Sequence, residues 1–188
     1  GHRYEGEFQD NHRHGFGKHI WPDGHYVGGW EDDKRHGRGR LTLSNGKRYE
    51  GEWVDNKKHG RGTWTEPGGV RYEGEWVGDN KHGRGTLTGP DGESYNGEWK
   101  DNLRHGRGVR IFKKPGERYD GQFQNNKKHG RGILKWLDGS REYRGEFKDD
   151  ERHGQGTYTW ENGTKSYRGF WRNGLKDGVG HVRDELDY

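Results

Sequence analysis

The chain of 188 residues contains no cysteine, no methionine and no alanine, and only four prolines. Without cysteine there is no disulfide framework, no thiolate metal site and no cysteine nucleophile, a usage compatible with a reducing compartment. Aliphatic volume is scarce: Leu, Ile, Val and Phe together make up about 13% of the residues. That is below the roughly 20% under which chains become suspect for disorder. A globule built around a thick aliphatic core is therefore not expected, because too little aliphatic volume exists to fill it. No run approaches 18 apolar residues, so no helix is expected to cross a bilayer. Missing alanine together with 37 glycines argues against helices altogether. Lack of methionine reads as a fragment or processed piece. No leader, transit or lipidation signal stands out. Arg183-Asp184-Glu185-Leu186 is followed by Asp187 and Tyr188, so it is not a retention tail.

What the chain does have is aromatic residues and charge. There are 9 Trp, 10 Tyr and 6 Phe, which disordered chains lack. Basic residues number 35 and acidic residues 31, a net charge of +4. So small a difference between two large numbers does not by itself call for nucleic acid or a membrane.

The organising feature is a repeat. Tyr-x-Gly-x-Trp/Phe occurs eight times, beginning at Tyr4, Tyr26, Tyr49, Tyr72, Tyr95, Tyr119, Tyr143 and Tyr167, at intervals of 22 to 24 residues. With each of these tyrosines as position 0, glycine stands at +2, +11 and +13 in every copy. An aromatic stands at +4, and a Lys or Arg at +9. Histidine stands at +10 in seven copies and Asp177 in the eighth. Asn-Gly, Asp-Gly or a similar turn lies three residues before most copies, as at Asn45-Gly46 and Asp91-Gly92.

Side chains at 0, +2 and +4 share one face of a strand, because strand side chains alternate. A turn at about +6 to +9, rich in Asp, Asn and Lys, leads into a second strand from +10 to +17. Pairing +5 with +10 lays the aromatic at +4 over Gly at +11 and sets Gly at +2 against Gly at +13. The tyrosine then faces +15, which is Leu41, Trp64, Leu87, Leu134, Tyr158 or Val182 in six copies. Each glycine leaves room for a neighbouring ring. The same register sets Arg at +12 (Arg38, Arg61, Arg84, Arg107, Arg131) against +3, which is Glu52, Glu75 and Glu98 in central copies. The outer face is then largely self-neutralised.

The expectation is an all-β chain: an elongated single-layer antiparallel sheet of stacked β-hairpins. Residues 1–188 form one array, about 75 Å long at about 4.8 Å per strand, with a thin core of aromatic rings. The uncovered edge near Gly1 is expected to continue into earlier repeats.

Tyr-x-Gly-x-Trp/Phe followed by His-Gly-x-Gly, eight times in register, resembles the membrane occupation and recognition nexus (MORN) repeat across nearly the whole chain. The resemblance implies a non-enzymatic scaffold or assembly module, cytoskeleton-associated or membrane-proximal in the cytoplasm, that dimerises or holds a protein partner. It also implies an alternative, a phospholipid- or phosphoinositide-binding targeting arm of a larger protein. A rigid spacer is the third reading.

Chemistry within the repeat is thin. Equivalent histidines in adjacent hairpins sit about 10 Å apart, too far to share a metal ion. Every Glu, His and Arg with a plausible catalytic role recurs as part of the repeat. No catalytic residue, cofactor, metal site or nucleic-acid partner is expected. The candidate partner-binding surface is the aromatic face, Tyr49, Trp53, Tyr72, Trp76, Tyr95, Trp99, Tyr119 and Phe123, expected to be partly open. The opposing reading is that these rings are spent on intramolecular stacking. The basic rim at +9 (Arg35, Lys58, Lys81, Arg104, Lys128, Arg152) is either a solvated edge or a site for anionic lipid or phosphate.

The eighth repeat departs from the pattern. Phe170 stands at +3 and Val179 at +12, facing each other in this register, with Leu175 nearby. Tyr167, Phe170, Trp171, Leu175 and Val179 form the candidate self-association surface of a homodimer. The competing reading is a private cap with Val182, Leu186 and Tyr188.

Overall fold

A computed structural model describes residues 1–113 and 116–184. All long elements are strands, hydrogen-bonded in chain order in one antiparallel sheet that does not close on itself. The chain divides into two compact units. The first, Gly1–Pro90 with Trp99–Asn102, contains β1 (Arg3–Gln9), β2 (His12–Trp21), β3 (Gly24–Glu31), β4 (Lys34–Leu43), β5 (Arg48–Val54), β6 (Lys57–Thr65), β7 (Arg71–Val77) and β8 (Asn80–Thr88). Strand β9 (Ser94–Lys100) contributes to both units. The second unit, Asp91–Glu98 with the described residues from Leu103 on, contains β10 (Leu103–Phe112), β11 (Glu117–Gln124), β12 (Lys127–Trp136), β13 (Glu142–Lys148), β14 (Glu151–Trp160), β15 (Lys165–Arg172) and β16 (Leu175–Asp184). A 3-10 turn, Glu161–Gly163, joins β14 to β15. The cap proposed for Leu186 and Tyr188 lies outside the described residues.

Each repeat is a hairpin, and half of the expected register holds. In β5 and β6, Tyr49 faces Trp64 and Gly51 faces Gly62. Nearer the turn the register differs from the sequence expectation. Glu52 pairs with His59, Trp53 with Lys58 and Val54 with Lys57. The turn is therefore two residues long, not four. Its residues Asp55 and Asn56 have φ of 47° and 67°, the pairing of positive angles that a type I′ turn demands and that Asp and Asn tolerate. The register shifts by two between Gly51 and Glu52, leaving Gly60 and Arg61 in a bulge with Gly60 at φ 56°. A glycine in the left-handed region is the first residue of the G1 type of bulge.

This bulge corrects two expectations. The aromatic at +4 does not lie over Gly at +11 of its own hairpin; it lies there across the boundary, as Gly37 opposite Trp53. The acid at +3 likewise meets Arg at +12 of the preceding repeat, as Arg38 opposite Glu52. In the last hairpin, Phe170 pairs with Asp177, not Val179. The extra twist and kink of the bulge, which recurs in seven of the hairpins, are local consequences of one glycine position.

The core is the aromatic face. Tyr49 is fully buried and Trp53 is 2% exposed. The Tyr49 ring lies on the backbone of Gly51 and Gly62, and a Cβ on Gly62 would run into the ring and hydroxyl. The hydroxyl donates to the carbonyl of Glu52 at 3.0 Å. Burial pushes the same hydroxyl up in Tyr143, to about 12, because the ionised phenolate would lose its water. Trp53 meets its own Tyr49 edge-on at 5.0 Å and the preceding repeat's Tyr26 at 5.4 Å. Its indole N–H donates to the Gly39 carbonyl at 3.2 Å. Each repeat is thus closed by its predecessor.

Candidate interaction surfaces

The aromatic residues offered by the sequence as a partner surface are buried. Tyr49, Trp53, Tyr72, Trp76, Tyr95, Trp99, Tyr119 and Phe123 expose between 0% and 5% of their surface. The expected partly open face is closed, because within each unit T-shaped contacts link the rings and the +9 cations lie over them. A partner on this side would meet the cover, not the rings.

That cover is the basic row. Arg35 sits 4.4 Å from the centre of the Trp53 ring, Lys58 4.5 Å from Trp76, and Arg152 4.3 Å from Trp171. Lys81 lies 5.2 Å from Trp99, Lys128 5.6 Å from Phe147, and Arg104 5.8 Å from Tyr95. All six are half-buried. Burial lowers the pKa of Arg35, Lys58, Arg104 and Lys128, as desolvation does to any cation. The cations gain cation–π contact and close the tops of the rings.

The turn residues bind the row in place. The backbone N–H of Arg35 donates to Asn56 Oδ1 at 2.8 Å, and that of Lys58 to Asp79 Oδ1 at 3.0 Å. In return the N–H of Asn56 donates to the Arg35 carbonyl at 3.0 Å. The Asx at +7 therefore both accepts a left-handed angle and links consecutive hairpins.

The opposite face carries the open relief. In the first unit a groove of about 1150 Å³ runs over the glycine backbone of Gly28, Gly39, Gly51 and Gly62, bordered by Arg38, Arg61 and Arg84. In the second a groove of about 1120 Å³ is bordered by Arg107, Arg131, Phe170 and Val179. Among the described residues, the expected ion pairs between Arg at +12 and Glu at +3 do not form. The carboxylates turn into the bulge and accept the backbone N–H of +12: Glu75 from Arg84 at 2.9 Å, Glu98 from Arg107 at 2.8 Å. The amide oxygen of Gln122 does the same for Arg131 at 2.8 Å. Sequence reasoning missed this role. Its signal was the coincidence of Glu or Gln at +3 with glycine at +11, where a Cβ would strike the carboxylate.

Of the candidate self-association residues, Tyr167 and Trp171 are buried, at 5% and 4% exposure, and belong to the ladder. Phe170, Leu175 and Val179 are 49%, 72% and 80% exposed. Phe170 and Val179 both line the second unit's groove. Among the described residues no group of three or more His, Asp or Glu side chains is placed to hold a metal ion.

The family model described as MORN repeat matches the chain eight times, at residues 4–25, 26–48, 49–71, 72–94, 95–114, 119–141, 143–165 and 167–182. No curated protein matches.

Proposed function

The chain belongs to the MORN repeat family, whose repeats are non-catalytic modules of protein and lipid interaction, and from that premise we propose a scaffold module that recognises protein and self-associates through its last repeat. One observation carries the reading. Phe170 lies on β15, paired on both sides by β14 and β16, and is still 49% exposed. Its exposure is not that of a frayed edge. Five other repeats place Glu here and one places Gln. Exposed apolar groups clustered on a charged face mark a contact surface, and Val179 and Leu175 extend it. A second copy offering the same patch would bury it with two-fold symmetry. Assembly at the cytoskeleton or beside a membrane in the cytoplasm is the setting this reading fits. The anionic-lipid rim at +9 has less support, because its cations are half-buried on rings.

The test is the solution molar mass by light scattering over a concentration series, for the wild type and Phe170→Glu. The substituted side chain matches the +3 residue of five other repeats, so the hairpin is expected to fold. Wild-type dimers and a monomeric variant are the expected result. A wild type that stays at the monomer mass, 21.9 kDa, at every concentration would leave the spacer reading in its place.

A further inference from the structure

The groove of the first unit holds positive charge that the fold does not use. Arg38, Arg61 and Arg84 occupy +12 in three successive repeats and are exposed. Their register neighbours Glu52 and Glu75 point into the bulges, accepting the N–H of Arg61 at 3.3 Å and of Arg84 at 2.9 Å. The remaining acids of the groove are taken. Glu50 pairs with Arg40 at 2.9 Å and Glu73 with Arg71 at 2.8 Å. Among the described residues, no carboxylate stands within ion-pair distance of the guanidinium groups of Arg38, Arg61 or Arg84. These groups recur every second strand, about 10 Å apart. At one end of the same groove Phe16 replaces the arginine at +12 and is 61% exposed.

We propose that this groove docks an extended acidic segment of a partner protein, with carboxylates on Arg38, Arg61 and Arg84 and an apolar side chain against Phe16. The spacing selects the conformation. A polyproline II segment rises about 3.1 Å per residue with three residues per turn, so every third side chain falls on one face about 9.3 Å from the last. Over the two intervals between three arginines the mismatch accumulates to only about 1.4 Å, within the reach of a flexible arginine side chain. A guanidinium binds a carboxylate through two parallel donors, so each contact is directional. The site goes beyond self-association and uses no residue of the last repeat.

The probe is a fluorescein-labelled peptide, (Glu-Pro-Pro)5 followed by Leu, measured by anisotropy at physiological salt. Controls are its block isomer, with all glutamates contiguous, and the lysine analogue. Binding of the spaced peptide is expected to weaken at least about tenfold in Arg38→Ala/Arg61→Ala/Arg84→Ala, and to be unchanged in Phe170→Glu. The three side chains are exposed, so a retained circular-dichroism spectrum is expected. Lysine should not bind. Equal affinity for the block isomer, or a triple variant that binds like wild type, overturns the proposal. So would anionic phospholipid vesicles that need the same three arginines and displace the peptide, since the row would then be a membrane contact. Loss of dimerisation alone bears only on the scaffold reading.

Discussion

The fourth and eighth repeats are built on the same motif and are held by different sets of bonds. In the fourth, Trp76 donates to the Gly62 carbonyl at 3.1 Å, Glu75 fills the bulge, and Asp79 accepts the N–H of Lys58. In the eighth, Trp171 still donates to the Gly156 carbonyl at 3.2 Å and still lies beneath Arg152. Phe170 replaces the bulge acceptor, however, and Gly174 replaces the Asx of the turn. The aromatic face is thus common to both, and the bulge and turn ties are not. Stability of the array resides in the rings and the glycines beneath them. The opposite face can exchange a structural carboxylate for an exposed apolar group without losing the hairpin.

The largest expected effect tests the common part. A Cβ at Gly85 would run into the Tyr72 ring and hydroxyl, and the ring has no free space to retreat into. Gly85→Ala is expected to cost about 3 kcal/mol, the upper range for overpacking. Gly178→Ala, at +11 of the eighth repeat and away from any tyrosine ring, is the contrast. It has φ +69° but no atom within 4 Å of the added methyl, so only the left-handed penalty of about 1 kcal/mol applies. Denaturant midpoints at constant m-value measure both. Equal losses would mean that ring contact is not what demands glycine.

Next comes the bulge. Glu75→Ala leaves the N–H of Arg84 without its acceptor, at an expected cost of about 1–2 kcal/mol. Glu75→Gln should recover most of it, because Gln122 already holds the N–H of Arg131 in the sixth repeat. A Gln variant as unstable as the Ala variant would show that charge, not the hydrogen bond, is what the bulge requires.

The period, the hairpin and half the register could be read from residue spacing, because Tyr, Gly and the +13 Gly are fixed by steric need and recur without exception. The bulge escaped that reading for a physical reason. One register was assumed to run unbroken from turn to strand end. Asp55-Asn56 and its equivalents are two-residue turn formers, which require +5 to pair with +8. Gly51 and Gly62 require +2 to pair with +13. The two conditions differ by two residues, and only a bulge reconciles them. Burial of the rings escaped for another reason: it depends on Arg35 or Lys58 reaching over the next repeat, a contact between residues about 18 apart whose geometry no spacing displays.

The smallest effect concerns the turn ladder, and it can be pushed in both directions. Asp79→Gly keeps the left-handed turn angle, which is 73°, and removes only the acceptor for the exposed N–H of Lys58. The expected loss is about 0.5–1 kcal/mol. Gly174→Asn does the reverse. It supplies the side-chain acceptor that the N–H of Arg152 lacks in that turn, and Asn126 shows the residue at φ 72° in the equivalent place. Two terms oppose each other here. Asn-Gly is the better type I′ pair, which favours the native residue by a few tenths of a kcal/mol. The new hydrogen bond, together with the smaller entropy of an unfolded chain lacking one glycine, favours asparagine by about 1 kcal/mol. The variant should therefore gain slightly in stability, and hydrogen exchange at the Arg152 amide should slow. Unchanged exchange at that amide would mean that the ladder in the other repeats follows from stacking and does not contribute to it.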